Sequence, residues 1–430
     1  MIATRARPAE SDGSLGRNPD EGARRMNIVD DFEGGTPTRV NLADDGAVRC
    51  DPVTSMSGSQ WFYWCVRVDG LERGATGRID LHWPRRWTEA DVPAGAERET
   101  VSRMTGHDSF AEVLPSCIHL SEDLLHWSPA ENVEGDGGRI AIGLRGTGKP
   151  FYLATQIPYL RPHMDSLLEF ARGAAPGCVR QIGRSQDGRP LWEIVLPATG
   201  GPAAQRPTIY VQAYQHLTEF SGLHVADALV RHLLGDAGAS ARAGLNWQIL
   251  PCVDVDGLHV GVGLRKNWPA GHLRATNPNR DWVTRTWPEV AAIHSFLESQ
   301  VREGTRYVAA FDLHNGWKDR IASGATYTVF PPGEADDGYI ARQKDLIEAL
   351  YHGTDHERPG VGHYWPHRTG GRTFTHAFKA ITGGLASTTE FSRFLWWNRA
   401  KGAFEPARPD HPRRYARDMA GVLSEHFGNA

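Results

Sequence analysis

The feature that most constrains this chain is an alternation of strand-like and helix-like segments that begins near residue 150. Apolar runs typical of buried strands cover 207–215, 246–255, 307–314 and 383–391. Segments with helical spacing lie between these runs, and a last one covers 418–427. Strands separated by helices predict an α/β domain with a doubly wound, mostly parallel sheet. Since such sheets bind ligands at the carboxyl ends of their strands, we expect the functional side chains there.

The first third of the chain has a different pattern. Residues 1–25 are polar and rich in Gly, Pro and Arg, which predicts a disordered leader. From 26 to 150, short β-branched and aromatic runs such as 60–71 and 139–144 are separated by turn residues. This pattern predicts an N-terminal β-sandwich domain of immunoglobulin-like size. The functional α/β domain is then expected over 151–430.

Large aromatic side chains suggest how the β-sandwich is used. Its segment contains four tryptophans, Trp61, Trp64, Trp83 and Trp87. This number favours a sandwich that packs against the α/β domain and does not move as a tethered accessory. The alternative is that the tryptophans fill the core of the sandwich itself.

Composition excludes several classes of function. The 430 residues carry a formal net charge of −4, which leaves no basic field to hold nucleic acid. No run approaches the roughly 18 apolar residues of a membrane helix, so we expect no membrane partner. The five cysteines form no CxxC pair, which argues against a disulfide framework or a cysteine zinc site. Because the N-terminal segment also lacks the apolar stretch of a secretory signal, we expect a cytoplasmic protein.

Polar residues stand at the ends of three predicted strands. His216 follows the first strand with Glu219 three residues later, His314 ends the third strand, and Glu390 lies near the end of the fourth. Imidazole nitrogen and carboxylate oxygen both suit Zn²⁺. Two His and one Glu as ligands, with a second carboxylate outside the ligand set, form the group that zinc-dependent hydrolysis requires.

A simpler interpretation competes with this metal site. The chain has 19 histidines, so a His and a Glu three residues apart also occur by chance, and a His after a strand is commonly a loop residue. Asn279 and Arg280, which follow Pro278, would present planar donors to a carboxylate, but a turn with a surface arginine has the same sequence. The agreement of three separate strand ends favours the metal site.

Taken together, these motifs resemble the zinc carboxypeptidases, the family of pancreatic carboxypeptidase A. The resemblance covers about residues 150–400. It rests on segments that occur in the order of the family, namely 183–189, 216–219, 264–266, 277–282, 312–314 and 389–391.

The resemblance implies roles in metal binding and in the reaction. His216, Glu219 and His314 correspond to the family's zinc ligands, which implies one Zn²⁺ per chain. Glu390 corresponds to the general base, which deprotonates water and passes the proton to the leaving group. Arg265 corresponds to the arginine that polarises the scissile carbonyl.

The resemblance also implies substrate-binding residues. Asn279 and Arg280 correspond to the pair that grips the terminal carboxylate of the substrate, so the scissile amide would be the last one. Tyr364 corresponds to a tyrosine that the family places before the general base, where it contacts the substrate. The segment 361–389 contains six Lys, Arg or His residues and no Asp or Glu. It predicts a preference for an acidic terminal residue, with Arg372 as a contact, unless these side chains face solvent.

A narrower resemblance concerns the front of the chain. Segments 31–35, 60–64 and 157–159 look like the β-domain and domain junction of the cytosolic carboxypeptidases. Those enzymes trim C-terminal or branched amino acids, glutamate among them, inside cells.

The sequence therefore predicts a zinc metallocarboxypeptidase that hydrolyses the C-terminal amide bond of peptides or small peptide-like substrates. One alternative on the same scaffold is a zinc-dependent deacylase or amidohydrolase acting on N-acyl amino acids or another small amide. A second is a catalytically inactive binding module, although the presence of Glu390 argues against it. A third is a structural protein without metal, in which these residues are ordinary turns.

Overall fold

The computed structural model describes residues 26–52, 63–82, 117–136, 139–260, 277–316, 325–354, 364–366 and 371–428. The predicted leader over 1–25 lies outside these ranges. Among the described helices, none is both long enough and apolar enough to cross a membrane.

A β-rich region precedes the α/β region and contains two five-stranded sheets. The strands of the first sheet, in spatial order, are β1 (Asn27–Val29), β4 (Cys65–Asp69), β10 (Phe151–Ala154), β6 (His119–Ser121) and β7 (Ser128–Pro129). Those of the second are β2 (Thr38–Leu42), β3 (Val48–Pro52), β5 (Thr76–His82), β9 (Arg139–Arg145) and β8 (Asn132–Asp136).

Alternating apolar residues explain why the two sheets pack together. In β9 the side chains of Ile140, Ile142 and Leu144 are buried while the residues between them are more exposed. Successive side chains of a strand point to opposite faces, so one face of β9 joins the core. Val66 and Leu153 of the first sheet belong to that same core. The two sheets therefore enclose one common apolar layer.

An eight-stranded sheet organises the α/β region. In spatial order its strands are β11 (Val179–Arg184), β12 (Pro190–Leu196), β14 (Asn246–Leu250), β13 (Thr208–Ala213), β15 (Tyr307–Asn315), β18 (Leu385–Phe391), β16 (Ala325–Val329) and β17 (Tyr364–Pro366).

The sheet is mixed, with four parallel and three antiparallel pairs, so the mostly parallel sheet that the sequence predicts is confirmed only in part. The central strands β14, β13, β15 and β18 pair in parallel, as do β16 and β17. The pairs β11–β12, β12–β14 and β16–β18 are antiparallel. The first of these follows from a tight turn at Asp187-Gly188, where Gly188 has φ +81°. Strands joined by so short a turn can pair only in antiparallel fashion.

Helices cover both faces of this sheet. They are α1 (Arg161–Ala174), α2 (Phe220–Leu234), α3 (Ala239–Ala243), α4 (Val255–Val260), α5 (Pro288–Arg302), α6 (Asp337–Gly353), α7 (Phe374–Thr382) and α8 (Asp410–Phe427). Ile209 and Val211 of β13 pack into the core that contains α1, α2, α6 and α8. Tyr210, between them, points to the opposite core with α5 and α7. The two-residue period of the strand thus divides its side chains between two helical layers.

The end of the chain contains more structure than its sequence predicts. Helix α8 begins at Asp410, well before 418, and places Pro412 in its first turn, where a missing N–H costs no helical hydrogen bond. Strands β19 (Leu395–Asn398) and β20 (Ala403–Pro406) form a separate antiparallel hairpin. This hairpin lies between the end of the main sheet and α8.

The residue that leads into this hairpin joins the two regions of the molecule. Phe394 is fully buried and belongs to the core of the β-rich region, not to that of the main sheet. The Cys117 thiol donates to the Phe394 carbonyl at 3.3 Å, and His119 Nε2 lies 2.7 Å from the carbonyl of Ala407. The β-rich region is therefore packed against the α/β region through apolar contact and hydrogen bonds.

Of the four tryptophans considered in the sequence, the one that the structure describes does not make this junction. Trp64 is buried in the core of that region, and its Nε1 donates to Thr38 Oγ1 at 3.2 Å. Trp61, Trp83 and Trp87 lie outside the described residues. Trp64 therefore fills the core of its own region, which is the alternative expectation for the tryptophans. The contact between the two regions is made by Phe394.

We predict that Phe394→Ala lowers the free energy of unfolding by about 3–5 kcal/mol, because it leaves a cavity where the two regions meet. Urea denaturation of the full chain measures this. Val283→Ala is the matched control, since Val283 is 60% exposed and its truncation should change stability by less than about 0.5 kcal/mol. If Phe394→Ala costs no more than the control, the junction does not depend on this ring.

Candidate metal centre

The centre forms where two central strands end. His216 and Glu219 lie in the loop between β13 and α2, and Glu219 immediately precedes the first residue of that helix. His314 is the second-last residue of β15. Because β13 pairs in parallel with β15, their carboxyl ends lie at the same edge of the sheet. The three side chains therefore come from different parts of the chain and reach one point.

The donor atoms of these residues face each other. His216 Nδ1 and His314 Nδ1 are 3.2 Å apart. Glu219 Oε1 lies 3.1 Å from His216 Nδ1, and Oε2 lies 2.8 Å from His314 Nδ1. One donor atom from each residue falls within 4.8 Å of the other two. His216 is the most accessible, with its side chain 23% exposed, so the group can be reached from solvent on one side.

The outer nitrogen of each imidazole is held by an acceptor. His216 Nε2 is 2.9 Å from Asn277 Oδ1, and His314 Nε2 is 2.8 Å from Asp312 Oδ2. With an acceptor beside its Nε2, each ring can carry its proton there and present the Nδ1 lone pair to a cation. Metal-ligating histidines commonly donate their second N–H in this way, which fixes the tautomer and the ring orientation.

Asp312 is itself held in a buried network. The carboxylate is fully buried and accepts hydrogen bonds from Gln212 Nε2 at 3.0 Å and Gln215 Nε2 at 2.6 Å. Trp282 Nε1 in turn donates to Gln215 Oε1 at 3.1 Å. No role for Asp312 follows from the motifs of the sequence. Its position two residues before His314 is the available signal, since it places both side chains on one face of β15.

The charges at the centre favour a cation. Burial alone would raise the pKa of Glu219, but the interactions with His216 and His314 outweigh it and hold that pKa well below its usual range. Burial alone would lower the pKa of His314, but Asp312 and Glu219 outweigh it and raise that pKa well above its usual range. Both directions follow from two buried carboxylates that require positive charge nearby.

The donor set fits zinc. Two imidazole nitrogens and one carboxylate are ligand types that Zn²⁺ binds, and three protein ligands are typical of catalytic zinc sites. The acceptors on both Nε2 atoms supply the surrounding hydrogen bonds that such ligands need. The residues present are therefore suited to hold one Zn²⁺.

Glu390 lies beside the donor group without belonging to it. In the parallel pairing of β15 with β18, His314 is the register partner of Glu390. Register partners point to the same face of the sheet, and neighbouring strands lie about 4.8 Å apart. Glu390 is half-buried. A second carboxylate thus stands next to the third donor residue, as the sequence predicts for the end of this strand.

Arg393 is a further charged residue at the centre, and it is not among the site residues that the sequence predicts. Its side chain is 2% exposed, and its Nη2 lies 3.6 Å from Glu219 Oε1. Burial lowers the pKa of Arg393, while the charges of Glu219 and Glu390 act in the opposite direction. No motif marks this residue, because an arginine after a strand is ordinarily a surface residue.

Asn279 lies at the centre but is engaged by the protein itself. It is buried in a short 3₁₀ helix, Pro278–Arg280, and its Oδ1 accepts from the Phe374 N–H at 3.1 Å. Its Nδ2 lies 3.3 Å from His314 Nε2. Both ends of the amide thus contact protein atoms. The neighbouring Arg280 is half-buried, with its Nη1 donating to the Asn279 carbonyl at 2.9 Å.

The remaining predicted residues are described only in part. Arg265 lies outside the described residues. Tyr364 is the first residue of β17, at the edge of the main sheet, and its side chain is not among those described. Arg372 is exposed and stands two residues before α7.

Comparisons with known proteins agree with this geometry. Residues 164–316, which include all three donor residues, match the family model of the zinc carboxypeptidases. The fold is similar to that of a metallo-carboxypeptidase from Burkholderia cenocepacia, with 18% identity and a TM-score of 0.70 over 93% of this chain and 98% of that one. A metallo-carboxypeptidase from Pseudomonas aeruginosa, solved in complex with (2-guanidinoethylmercapto)succinic acid, has 17% identity and a TM-score of 0.69 over the same shares of the two chains. At such identities the likeness establishes the fold. None of the curated proteins matches the sequence.

We predict that the purified protein binds about one Zn²⁺ per chain and that the double variant His216→Ala/His314→Ala does not. Because the ligands must be deprotonated, zinc affinity should also fall as the pH is lowered. Elemental analysis after dialysis, with circular dichroism to check folding, measures the content. His232→Ala, on helix α2, is the control. Full zinc content in the double variant would contradict this site.

Proposed function

We propose that this chain removes the C-terminal residue of peptides or small peptide-like substrates in a zinc-dependent reaction, as the match of residues 164–316 to the zinc carboxypeptidase family model supports. The observation that carries this proposal is the meeting of His216, Glu219 and His314 at one sheet edge. Glu390 stands in register beside them.

In this proposal the three donor residues hold one Zn²⁺. Bound zinc supplies Lewis-acid chemistry, since it polarises a carbonyl oxygen and lowers the pKa of water. Asn277 and Asp312 keep the two imidazole rings oriented through their Nε2 protons. Arg265 is proposed to stabilise the negative charge that develops on the scissile carbonyl oxygen.

Glu390 is the proposed general base. Its carboxylate takes a proton from water as that water attacks the scissile carbonyl, and then gives the proton to the departing amine. The half-buried position, in register with His314, suits both steps, because the residue stands beside the donor group and still reaches solvent. Its strand holds it there through hydrogen bonds to β15, so little motion is needed before reaction.

The terminal carboxylate of the substrate needs a separate anchor. We assign this role to Arg280, whose guanidinium can form two parallel hydrogen bonds with a carboxylate, and we propose Tyr364 as a further substrate contact. Asn279 was expected to share the role of Arg280. Because its amide contacts His314 and Phe374, we propose that it acts by holding the centre together.

We predict that Glu390→Gln lowers kcat by more than ~100-fold and leaves zinc content unchanged, because the amide keeps the shape of the side chain but accepts no proton. Peptide cleavage followed by mass spectrometry measures the rate. Glu169→Gln on the exposed side of α1 is the matched control. A near-normal rate for Glu390→Gln would remove this residue from the reaction.

The same assay separates the proposed activity from its alternatives. Cleavage of N-acyl amino acids without cleavage of peptides would favour a deacylase. Zinc binding with neither activity would favour a binding module.

The preference for the terminal residue is the finer part of the proposal. We propose acidic terminal residues and a relationship to the cytosolic carboxypeptidases. Two basic residues of the segment before Glu390 contact Glu334. His376 Nε2 lies 2.6 Å from Glu334 Oε2, and Lys379 Nζ donates to the Glu334 carbonyl at 3.1 Å. Those two side chains are thus engaged by the protein, whereas Arg372 is exposed and can contact a substrate.

We predict that, in a peptide series differing only in the last residue, substrates ending in Glu or Asp are cleaved faster than those ending in Phe or Leu. Arg372→Ala should reduce this ratio by raising KM for the acidic peptides, because it removes the attracting charge. Arg302→Ala, at the exposed end of α5, is the control. Faster cleavage of the apolar series would contradict the acidic preference.

The proposed location is the cytoplasm. All five cysteines lie in described segments, are buried and form no disulfide, which is usual where thiols are kept reduced: Cys50, Cys65, Cys117, Cys178 and Cys252.

A further inference from the structure

The loop that carries two of the donor residues is strained. Thr218 lies between His216 and Glu219 and has φ +64°, in the left-handed region. A β-branched residue rarely adopts this conformation, because its side chain crowds the backbone there. Such outliers persist only where the surrounding structure holds them. Something must therefore keep this loop in place.

Arg393 contacts the strained residue directly. Its Nη1 donates to the Thr218 carbonyl at 2.9 Å and lies 3.3 Å from Thr218 Oγ1. Its Nη2 lies 3.6 Å from Glu219 Oε1. The planar guanidinium thus holds the backbone of one residue and the carboxylate of the next, which a single ammonium group cannot do with the same geometry.

The position of Arg393 in the chain gives this contact its significance. It follows β18, the strand of Glu390, by two residues. The preceding Ser392 is buried, and its carbonyl accepts from Ser221 Oγ of helix α2 at 3.2 Å. The segment after the Glu390 strand is therefore attached both to the donor loop and to the helix that follows it.

We propose that Arg393 is a positioning residue that holds the His216–Glu219 loop in the conformation that binds zinc, an inference that rests on the proposed function. The guanidinium maintains the left-handed turn at Thr218, and this turn directs His216 and Glu219 to the same point. It also sets the orientation of the Glu219 carboxylate. Because Arg393 extends from the end of the Glu390 strand, it fixes the distance between the donor loop and the proposed general base.

The main alternative is that Arg393 only stabilises the fold. It also lines a small cavity of about 20 Å³ with Trp396 and Arg408, beside the hairpin that follows Phe394. A purely structural role predicts lower stability for an Arg393 variant and an unchanged zinc affinity per folded molecule. The positioning role predicts a change in zinc affinity itself.

The first experiment measures the zinc dissociation constant of the full chain by chelator competition, together with kcat and KM. Arg393→Gln should weaken zinc binding ~10- to 100-fold, as expected when a group that orients a ligand is removed. Arg393→Lys keeps the charge and should recover part of that loss. Arg408→Gln, an exposed arginine at the same cavity, is the control and should bind zinc like the wild type.

The second experiment uses the strain at Thr218. Glycine adopts a positive φ without penalty, so in Thr218→Gly the loop no longer needs to be held in its turn. Replacing Arg393 with Gln should then weaken zinc binding by a clearly smaller factor than in the wild-type background. Equal factors in the two backgrounds would overturn the role at Thr218.

The outcomes separate this inference from the function on which it rests. If the wild type binds zinc and cleaves peptides while Arg393→Gln keeps wild-type zinc affinity, the positioning role is wrong and the proposed function stands. If the wild type binds no zinc, both are wrong. If Arg393→Gln fails to fold, Arg393→Lys is tested by the same measurement. Unchanged zinc affinity and KM in Arg393→Lys would show that the planar guanidinium is not needed, which would overturn the positioning role.

Discussion

The parallel, in-register pairing of β13, β15 and β18 is the constraint on which the rest of the centre depends. It brings the loop after β13, the end of β15 and the end of β18 to one edge of the sheet. His314 and Glu390 are then neighbours by register alone, although 76 positions separate them in the chain. A slip of one residue would turn the side chains of one strand to the opposite face and separate donor from base. The apolar layers on both sides of the sheet prevent such a slip, since each strand buries different residues in each layer.

Buried charge is the second constraint. Glu219 and Asp312 are almost completely removed from water, and an uncompensated carboxylate in such a position is strongly destabilising. The protein compensates them with the two imidazoles, the glutamine side chains around Asp312, and Arg393. The same arrangement that makes these charges tolerable also makes the centre attractive to a cation. Stability of the fold and affinity for a metal are therefore linked at this edge of the sheet.

The β-rich region bears on the centre through packing. The ring of Tyr63 contacts that of Phe220 at 5.1 Å, and Phe220 is the first residue of the helix that follows Glu219. On the other side, Phe394 lies in the core of the β-rich region and is adjacent to Arg393. Both the donor loop and the segment after Glu390 are thus supported by described residues of the β-rich region. The contacts that provide this support join residues that are far apart in sequence.

The sequence by itself determined the α/β character of the second region and the strand ends that carry His216, Glu219, His314 and Glu390. These features depend on local periodicity, on turn residues and on residue types that suit one chemistry. Only the tertiary structure decided which side chains hold the donors. Asp312 and Asn277 act on the imidazoles, Asn279 joins His314 to α7, and Arg393 reaches a loop 175 positions earlier in the chain. Local patterns cannot predict such contacts, because they depend on strand register and on which groups are buried together. The antiparallel pairs β12–β14 and β16–β18 have the same origin, since no local turn sets them and each strand is placed by what it packs against.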